Sequence, residues 1–332
     1  MSDSPLISSP YSAECRLALA AVREAASLCQ RVQARDNRGV MTKADSSPVT
    51  IADFGSQALL CRAIAETFPA DAIMAEERSA ALFERGAETL AERTVAEITN
   101  SRPGIDLAQV GQWIDRGCLD EYAPRYWALD PIDGTVGFVA GRHYAVCMAL
   151  VVEGEVVVGA IGCPRLAPGP LAEGAGVVLL AAKGCGTWEF SQDDPSAPPR
   201  QLHVSQQCEP RASRFCESFD PGHSWHENAV AATQRLGVTK PAVRIDSQVK
   251  YGLVARGDVE LYVRIPLRAD RRERVWDHAA GSLLVTEAGG TVTDLRGRPL
   301  SFAHGTRLQE NFGILATNGK FHSDAVKAVS QE

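Results

Sequence analysis

Three acidic positions in this chain could do chemistry together. Glu76-Glu77 closes a short apolar run. Asp130 and Asp133 stand with two residues between them in Asp130-Pro131-Ile132-Asp133-Gly134-Thr135. Asp277 lies in Trp276-Asp277-His278, ahead of an apolar stretch. Each alone has an ordinary reading: a surface glutamate pair, a β-turn built by Pro131 and Gly134, and a helix N-cap. Taken together, each falls at the end of an expected strand or the start of an expected helix, where α/β sheets assemble sites. Carboxylates gathered in one place repel and raise one another's pKa. A divalent cation removes that penalty, and an oxygen set without a Cys/His cluster favours Mg²⁺ over Zn²⁺. Such a cage suits phosphate-ester hydrolysis, in which metal ions clamp the attacking and leaving oxygens and activate a water.

Other hydrolytic and phosphate-binding designs fit less well. Aspartyl-phosphate hydrolases place one residue between two Asp, whereas two intervene between Asp130 and Asp133. Neither the Gly-x-Ser-x-Gly elbow of a serine hydrolase nor a P-loop occurs. Lys183-Gly184-Cys185-Gly186 reads as a turn.

The elements that must position these residues follow from periodicity. Leu17, Ala20, Ala21 and Leu28 give a helix over Ser12–Gln33, and Leu59, Leu60, Ala63 and Ile64 a second from Ala52 to Phe68, stopped by Pro69. Asp71–Ala75 and Tyr126–Leu129 read as buried strands leading into the acidic positions. Strands follow at 143–152, 156–162 and 177–182, the first two joined by a hairpin at Glu153-Gly154. Beyond the Asp-, Ser- and Pro-rich stretch 191–199, helices and strands alternate to the C-terminus, the last strand at Ile314–Thr317. This order predicts a layered α/β (α+β) architecture. It divides into an N-terminal α+β part, 1–198, and a C-terminal α/β part, 199–332. Within the first, the Ala-, Glu- and Arg-rich segment 78–125 reads as two surface helices broken near Pro103-Gly104, an insertion or lid.

Composition agrees with a globular enzyme. The chain has 332 residues, 45% hydrophobic and 23% charged, which supports a sizeable core. Its net charge of −7 speaks against a generic nucleic-acid binder. Nine scattered cysteines without a C-x-x-C pair read as reduced, packed thiols. No run reaches the roughly 18 apolar residues of a membrane helix, and the N-terminus lacks a signal-peptide layout. The expected location is the cytoplasm, as a monomer or small homo-oligomer acting on a small molecule.

The motifs resemble the inositol monophosphatase superfamily of Mg²⁺-dependent, Li⁺-sensitive phosphatases. The likeness runs from Ala20 to Asn318 and rests on Ala75-Glu76-Glu77, Asp130 through Thr135, and Trp276-Asp277-His278-Ala279-Ala280-Gly281. Within the superfamily the chain is similar to the 3′(2′),5′-bisphosphate nucleotidases, through Ser47 to Asp53, Arg214 to Ser218, Asp246 to Tyr251, and Leu261 to Arg264. The resemblance implies an αβαβα sandwich of the inositol monophosphatase and fructose-1,6-bisphosphatase type. It further implies that Glu76, Asp130, the Ile132 carbonyl, Asp133 and Asp277 hold two or three Mg²⁺ ions. Asp53 and Thr135 would orient and deprotonate the attacking water. Helix N-termini after Gly134 and at Asp277 would face the phosphate. His223, Ser247, Lys250 and Arg264, with Thr135 and Asp277, would contact the substrate. Read without that context, Lys250 and Arg264 are surface charges and His223 a loop histidine.

The implied reaction is in-line hydrolysis of the 3′-phosphate of adenosine 3′,5′-bisphosphate to AMP, clearing a by-product of sulfotransfer. 3′-Phosphoadenylyl sulfate and the 2′-isomer are further substrates. An inositol polyphosphate 1-phosphatase with the same metal site is the alternative enzyme, and a non-catalytic nucleotide sensor the alternative class. Two departures stand out. Val136 replaces the Lys that follows Gly-Thr in many relatives, and 268–274 carries more charge than a loop needs, which suggests a rim over the nucleotide.

Overall fold

The apolar stripe of the first long segment forms α1 (Ser12–Gln33), which buries Cys15, Leu19, Val22, Ala26 and Cys29 on one face. The computed structural model describes residues 5–35, 38–42, 48–169, 172–219 and 226–330. After α1 come a two-residue pair, β1 (Met41–Thr42) and β2 (Pro48–Val49), then α2 (Ile51–Thr67) and β3 (Ala72–Ala75). α3 (Glu88–Thr99) and α4 (Leu107–Asp115) precede β4 (Arg125–Asp133) and the single turn α5 (Thr135–Val139). The chain then runs through β5 (Ala145–Val152), β6 (Glu155–Cys163), β7 (Val177–Ala182), β8 (Thr187–Ser191) and β9 (Arg200–Leu202). The remainder is β10 (Phe215–Glu217), α6 (His226–Arg235), β11 (Val243–Arg244), α7 (Val249–Ala255), β12 (Leu261–Arg264), α8 (Ala279–Glu287), β13 (Thr291–Thr293), β14 (Ile314–Thr317) and α9 (His322–Val329).

Two sheets result. β3 to β9 form a seven-stranded sheet in sequence order, parallel only between β3 and β4. The second sheet has five strands in the order β11-β10-β12-β14-β13. The change of sheet falls between Leu202 and Phe215.

Three layers of core separate the elements, and strand alternation assigns residues to them. Along β5, Val146, Met148 and Leu150 face the cluster beneath α1 and α2. Ala145, Cys147, Ala149 and Val151 face the cluster shared with α7, α8 and the second sheet. Phe215, Leu261, Val263 and Leu315 face a third cluster under α6 and α9. The order is therefore helix, sheet, helix, sheet, helix, as the resemblance implied. At the β5–β6 hairpin Glu153 and Gly154 both adopt positive φ, as tight hairpin turns favour.

The helices of 78–125 lie at the surface with one face packed on the core beside α2, through Leu90, Ala91, Ile98, Val110 and Ile114, which are apolar at helical spacing. One expectation changes. β4 does not end at Leu129; it continues through Pro131 to Asp133, with a register shift between Asp130 and Asp133. The proline is tolerated at that irregularity because the ladder is broken there.

Candidate active site

α2 is the element that aligns the acidic segments. It is buried on nearly every face from Ile51 to Arg62, yet carries Asp53, Ser56 and Gln57 within that apolar surround. Residues three and four apart share a helix face, and these three touch three different segments. Asp53 Oδ1 lies 3.3 Å from the Thr135 hydroxyl. Ser56 Oγ donates to the Pro131 carbonyl at 2.8 Å. Gln57 grips the main chain of Glu77 at both N–H and carbonyl, each at 2.8 Å. Asp53 also closes a capping box through Oδ2, accepting from the Thr50 N–H at 2.8 Å and the Thr50 hydroxyl at 2.7 Å. Its position is thus over-determined. It does not line the cleft itself and reaches it through Thr135.

The strand ends supply the carboxylates. Glu76 follows β3, and Asp130 and Asp133 come from the irregular end of β4. Residues three apart in a regular strand point to opposite faces; with the register shifted between them, Asp130 and Asp133 both line one cleft of about 680 Å³. Glu76, Ile132, Thr135, Ser247, Lys250, Arg264 and Asp277 line the same cleft. Gly134 turns the chain into α5 at φ +87°. Asp277 is not an N-cap: α8 starts at Ala279, and the cap position is His278, without a side-chain cap bond.

Gln248 links the two halves. Its N–H donates to Asp133 Oδ2, its side-chain amide donates to the Trp276 carbonyl at 2.8 Å, and its Oε1 accepts from the Gly281 N–H at 3.0 Å. The loop before it holds Ser247 at φ +71°, an uncommon conformation for a non-glycine. Neither Gln248 nor the Ser56–Gln57 pair stood out in the sequence. For the pair, the available signal was a polar i, i+3, i+4 stripe inside an apolar helix.

Lys250 and Arg264 are not surface charges. Lys250 is 3% exposed; its Nζ donates to Ser218 Oγ at 2.9 Å and sits 5.3 Å from the Tyr262 ring centre. Arg264 forms an ion pair with Glu273 at 2.8 Å. Val136 is 39% exposed and puts an apolar edge on the cleft. Ser47 and His223 lie outside the described residues.

Electrostatics favour a cation at the acidic wall. Burial lifts the Asp130 carboxyl well above its usual range, and Glu76, Asp133 and Asp277 add repulsion. Burial raises Asp133 to about 6 against the pull of Lys250. It raises Asp277 to about 8 despite Arg264, with Asp133 reinforcing the rise. Asp130 Oδ1 is buried with no hydrogen-bond partner. Orphaned, hard oxygen ligands of this kind fit Mg²⁺. A tighter group, Glu273, Asp277 and His278, brings its ligand atoms within 4.8 Å of one another, but the Arg264 cation already occupies Glu273.

A model of the inositol monophosphatase family matches residues 8–332. The chain belongs to that family. Among its relatives, a 3′(2′),5′-bisphosphate nucleotidase of Oryza sativa is 40% identical, over 96% of this chain and 94% of its own. A protein of the same name from Schizosaccharomyces pombe is 36% identical, over 96% of each. An inositol monophosphatase structure from Anabaena superposes with a TM-score of 0.64 at 22% identity, covering 96% of each chain. The layered sheets and helices of the present chain are those of the inositol monophosphatase fold.

Proposed function

We propose that the chain is a Mg²⁺-dependent 3′(2′),5′-bisphosphate nucleotidase. It hydrolyses the 3′-phosphate of adenosine 3′,5′-bisphosphate to AMP and phosphate, with 3′-phosphoadenylyl sulfate and the 2′-isomer as further substrates. The observation that carries this reading is one cleft lined by both the carboxylates Glu76, Asp130, Asp133 and Asp277 and the cations Lys250 and Arg264. A phosphate monoester with a second anionic group matches that pairing, and the full-length relatives of that name support it.

In this reading Glu76, Asp130, the Ile132 carbonyl, Asp133 and Asp277 would hold two or three Mg²⁺ ions. The chemistry those residues would gain from bound magnesium is neutralisation of phosphate charge and a lowered pKa of water. The chain's own residues do the rest. The Thr135 hydroxyl, directed between Asp53 Oδ1 at 3.3 Å and the Ile132 carbonyl at 3.1 Å, keeps lone pairs free to orient the attacking water. Asp53 receives the water's proton through Thr135 as the oxygen attacks phosphorus in line with the departing ribose oxygen. No covalent phosphoenzyme forms. Ser247, Lys250, Arg264 and His223 bind the nucleotide, and the basic pair takes the non-reacting phosphate. The N-terminal part, 1–198, thus carries most metal ligands, and 199–332 carries the nucleotide contacts and Asp277. The nine cysteines are free thiols, in keeping with a reducing cytoplasm and a role in clearing the by-product of sulfotransfer. Lithium sensitivity is expected from the same metal site.

The test is Mg²⁺-dependent phosphate release from adenosine 3′,5′-bisphosphate by the wild type and by Asp133→Ala. The wild type should turn over and the variant should lose roughly a hundredfold or more. A wild type without turnover, or a variant with unchanged turnover, contradicts the proposal.

A further inference from the structure

The loop between β12 and α8 contains a buried carboxylate that the proposed reaction does not use. Glu273 is 3% exposed and stands between two groups of the site. On one side its Oε2 lies 2.8 Å from Arg264 Nη2. On the other it lies 3.6 Å from His278 Nε2, and His278 Nδ1 is 2.8 Å from the Tyr251 hydroxyl. Tyr251 and Arg264 both line the cleft. Tyr251, His278, Glu273 and Arg264 therefore form a continuous buried chain.

The Arg264 contact engages one end of the guanidinium. Arg264 Nε is buried without a hydrogen-bond partner, and neither Glu273 oxygen nor His278 Nε2 makes an aligned hydrogen bond. A bidentate pair would saturate both ends of the fork. A single-ended ion pair fixes where the guanidinium sits; Arg264 also reaches the Tyr262 hydroxyl, and the donors that remain on this cleft-lining residue are left for another acceptor. A buried cation without Glu273 would lose its compensation and its reason to stay in that rotamer.

We infer that Glu273 is a positioning residue, which holds Arg264 at the cleft so that its remaining donors take the substrate's second, non-reacting anionic group. The inference rests on the proposed bisphosphate reading and assigns it a selectivity device. His278 Nε2 lies 3.6 Å from Glu273 on the far side, with the Tyr251 hydroxyl behind it on Nδ1. The device acts on binding of the second anion and leaves the reacting phosphate to the acidic wall.

The experiment compares adenosine 3′,5′-bisphosphate with 3′-AMP, which lacks the second phosphate, using the full chain with Mg²⁺. Wild type, Glu273→Gln, Arg264→Ala and the double variant are measured on both. Glu273→Gln should raise KM for the bisphosphate roughly tenfold, the scale of a charge-assisted contact, with kcat and the 3′-AMP constants changed less than about twofold. The double variant should be no worse than Arg264→Ala alone, because both act through one contact. Equal losses on both substrates, or additive losses, overturn the inference. If Glu273→Gln does not fold, Glu273→Asp keeps the charge with a shorter reach. It should show the same KM pattern at smaller size, and unchanged constants overturn the inference. A wild type inactive on the bisphosphate shows that the functional reading has failed. Arg264→Ala with an unchanged KM, in an active wild type, shows instead that Arg264 does not take the second anion, and the inference falls alone.

Discussion

The Thr135 hydroxyl lies 3.3 Å from Asp53 Oδ1, and the other oxygen of that carboxylate is fixed by the cap of α2. A helix terminus therefore sets the aim of a group on the far side of the strand–turn that follows β4. Asp53→Asn keeps the shape and an acceptor but removes the proton-holding oxygen. Turnover should fall roughly a hundredfold or more with KM changed less than about threefold. Thr135→Ser should keep most activity and Thr135→Val should lose it. Steady-state kinetics of the three variants check this, and an active Asp53→Asn enzyme contradicts it.

The carboxylate wall makes a prediction about stability. Burial holds Asp133 at about 6 and Asp277 at about 8, above the value of about 3.9 in an unfolded chain. A carboxyl whose folded pKa is raised favours folding while protonated, and that contribution is lost as pH rises through the folded pKa. Burial lowers His278 to about 4, and it lowers His143 and His322 as well, so these histidines work in the opposite direction below about pH 6.5. The informative window is therefore pH 6.5 to 8.5, set by Asp277. With chelator the Tm should fall across it, and with Mg²⁺ the fall should disappear. A Tm that is flat or rising without metal contradicts the electrostatic account of the cleft.

The approach of α5 to the loop before α7 leaves no room for a side chain at Gly137. A Cβ there would lie 2.6 Å from the His143 carbonyl and 2.8 Å from Asp246 Oδ2. The carbonyl belongs to the main chain and cannot swing aside. Gly137→Ala should cost about 1–3 kcal/mol of stability and raise KM by displacing the Asp246–Gln248 loop. Denaturant unfolding and kinetics on the same sample test this; unchanged values in both would show that the loop accommodates the methyl group.

Much of this was legible in the sequence, for identifiable reasons. The helix expected over Ser12–Gln33 has those bounds, because its apolar period is unbroken and one-sided. The strand expected at Ile314–Thr317 likewise stands, as a fully buried run. β8 and β9 were missed: β9 is the edge strand and β8 its neighbour, and Thr187, Glu189 and Arg200 blur the alternation. β10, three residues long, is too short to show a period. The acidic residues were found because they sit in contiguous motifs. Ser56, Gln57 and Gln248 were not found, because their partners are tens of residues away, as with Gln57 and Ile114, and only the fold brings them together. Glu273 read as one more charge of the 268–274 loop, because nothing in the linear pattern marks it as buried. Without the family context Lys250 and Arg264 read as surface charges, because the linear pattern does not connect them to Tyr262 and Glu273, against which they are held.

The most direct measurement is the ratio of kcat/KM for adenosine 3′,5′-bisphosphate and inositol 1,4-bisphosphate, with Mg²⁺, in one preparation. The account predicts a preference of at least roughly tenfold for the nucleotide, the scale expected when a site built for a second anion and a base meets a substrate that misplaces both. A preference for the inositol ester would contradict the nucleotide assignment of Ser247, Lys250 and Arg264 while leaving the acidic wall in place. Turnover of neither would contradict the catalytic reading itself.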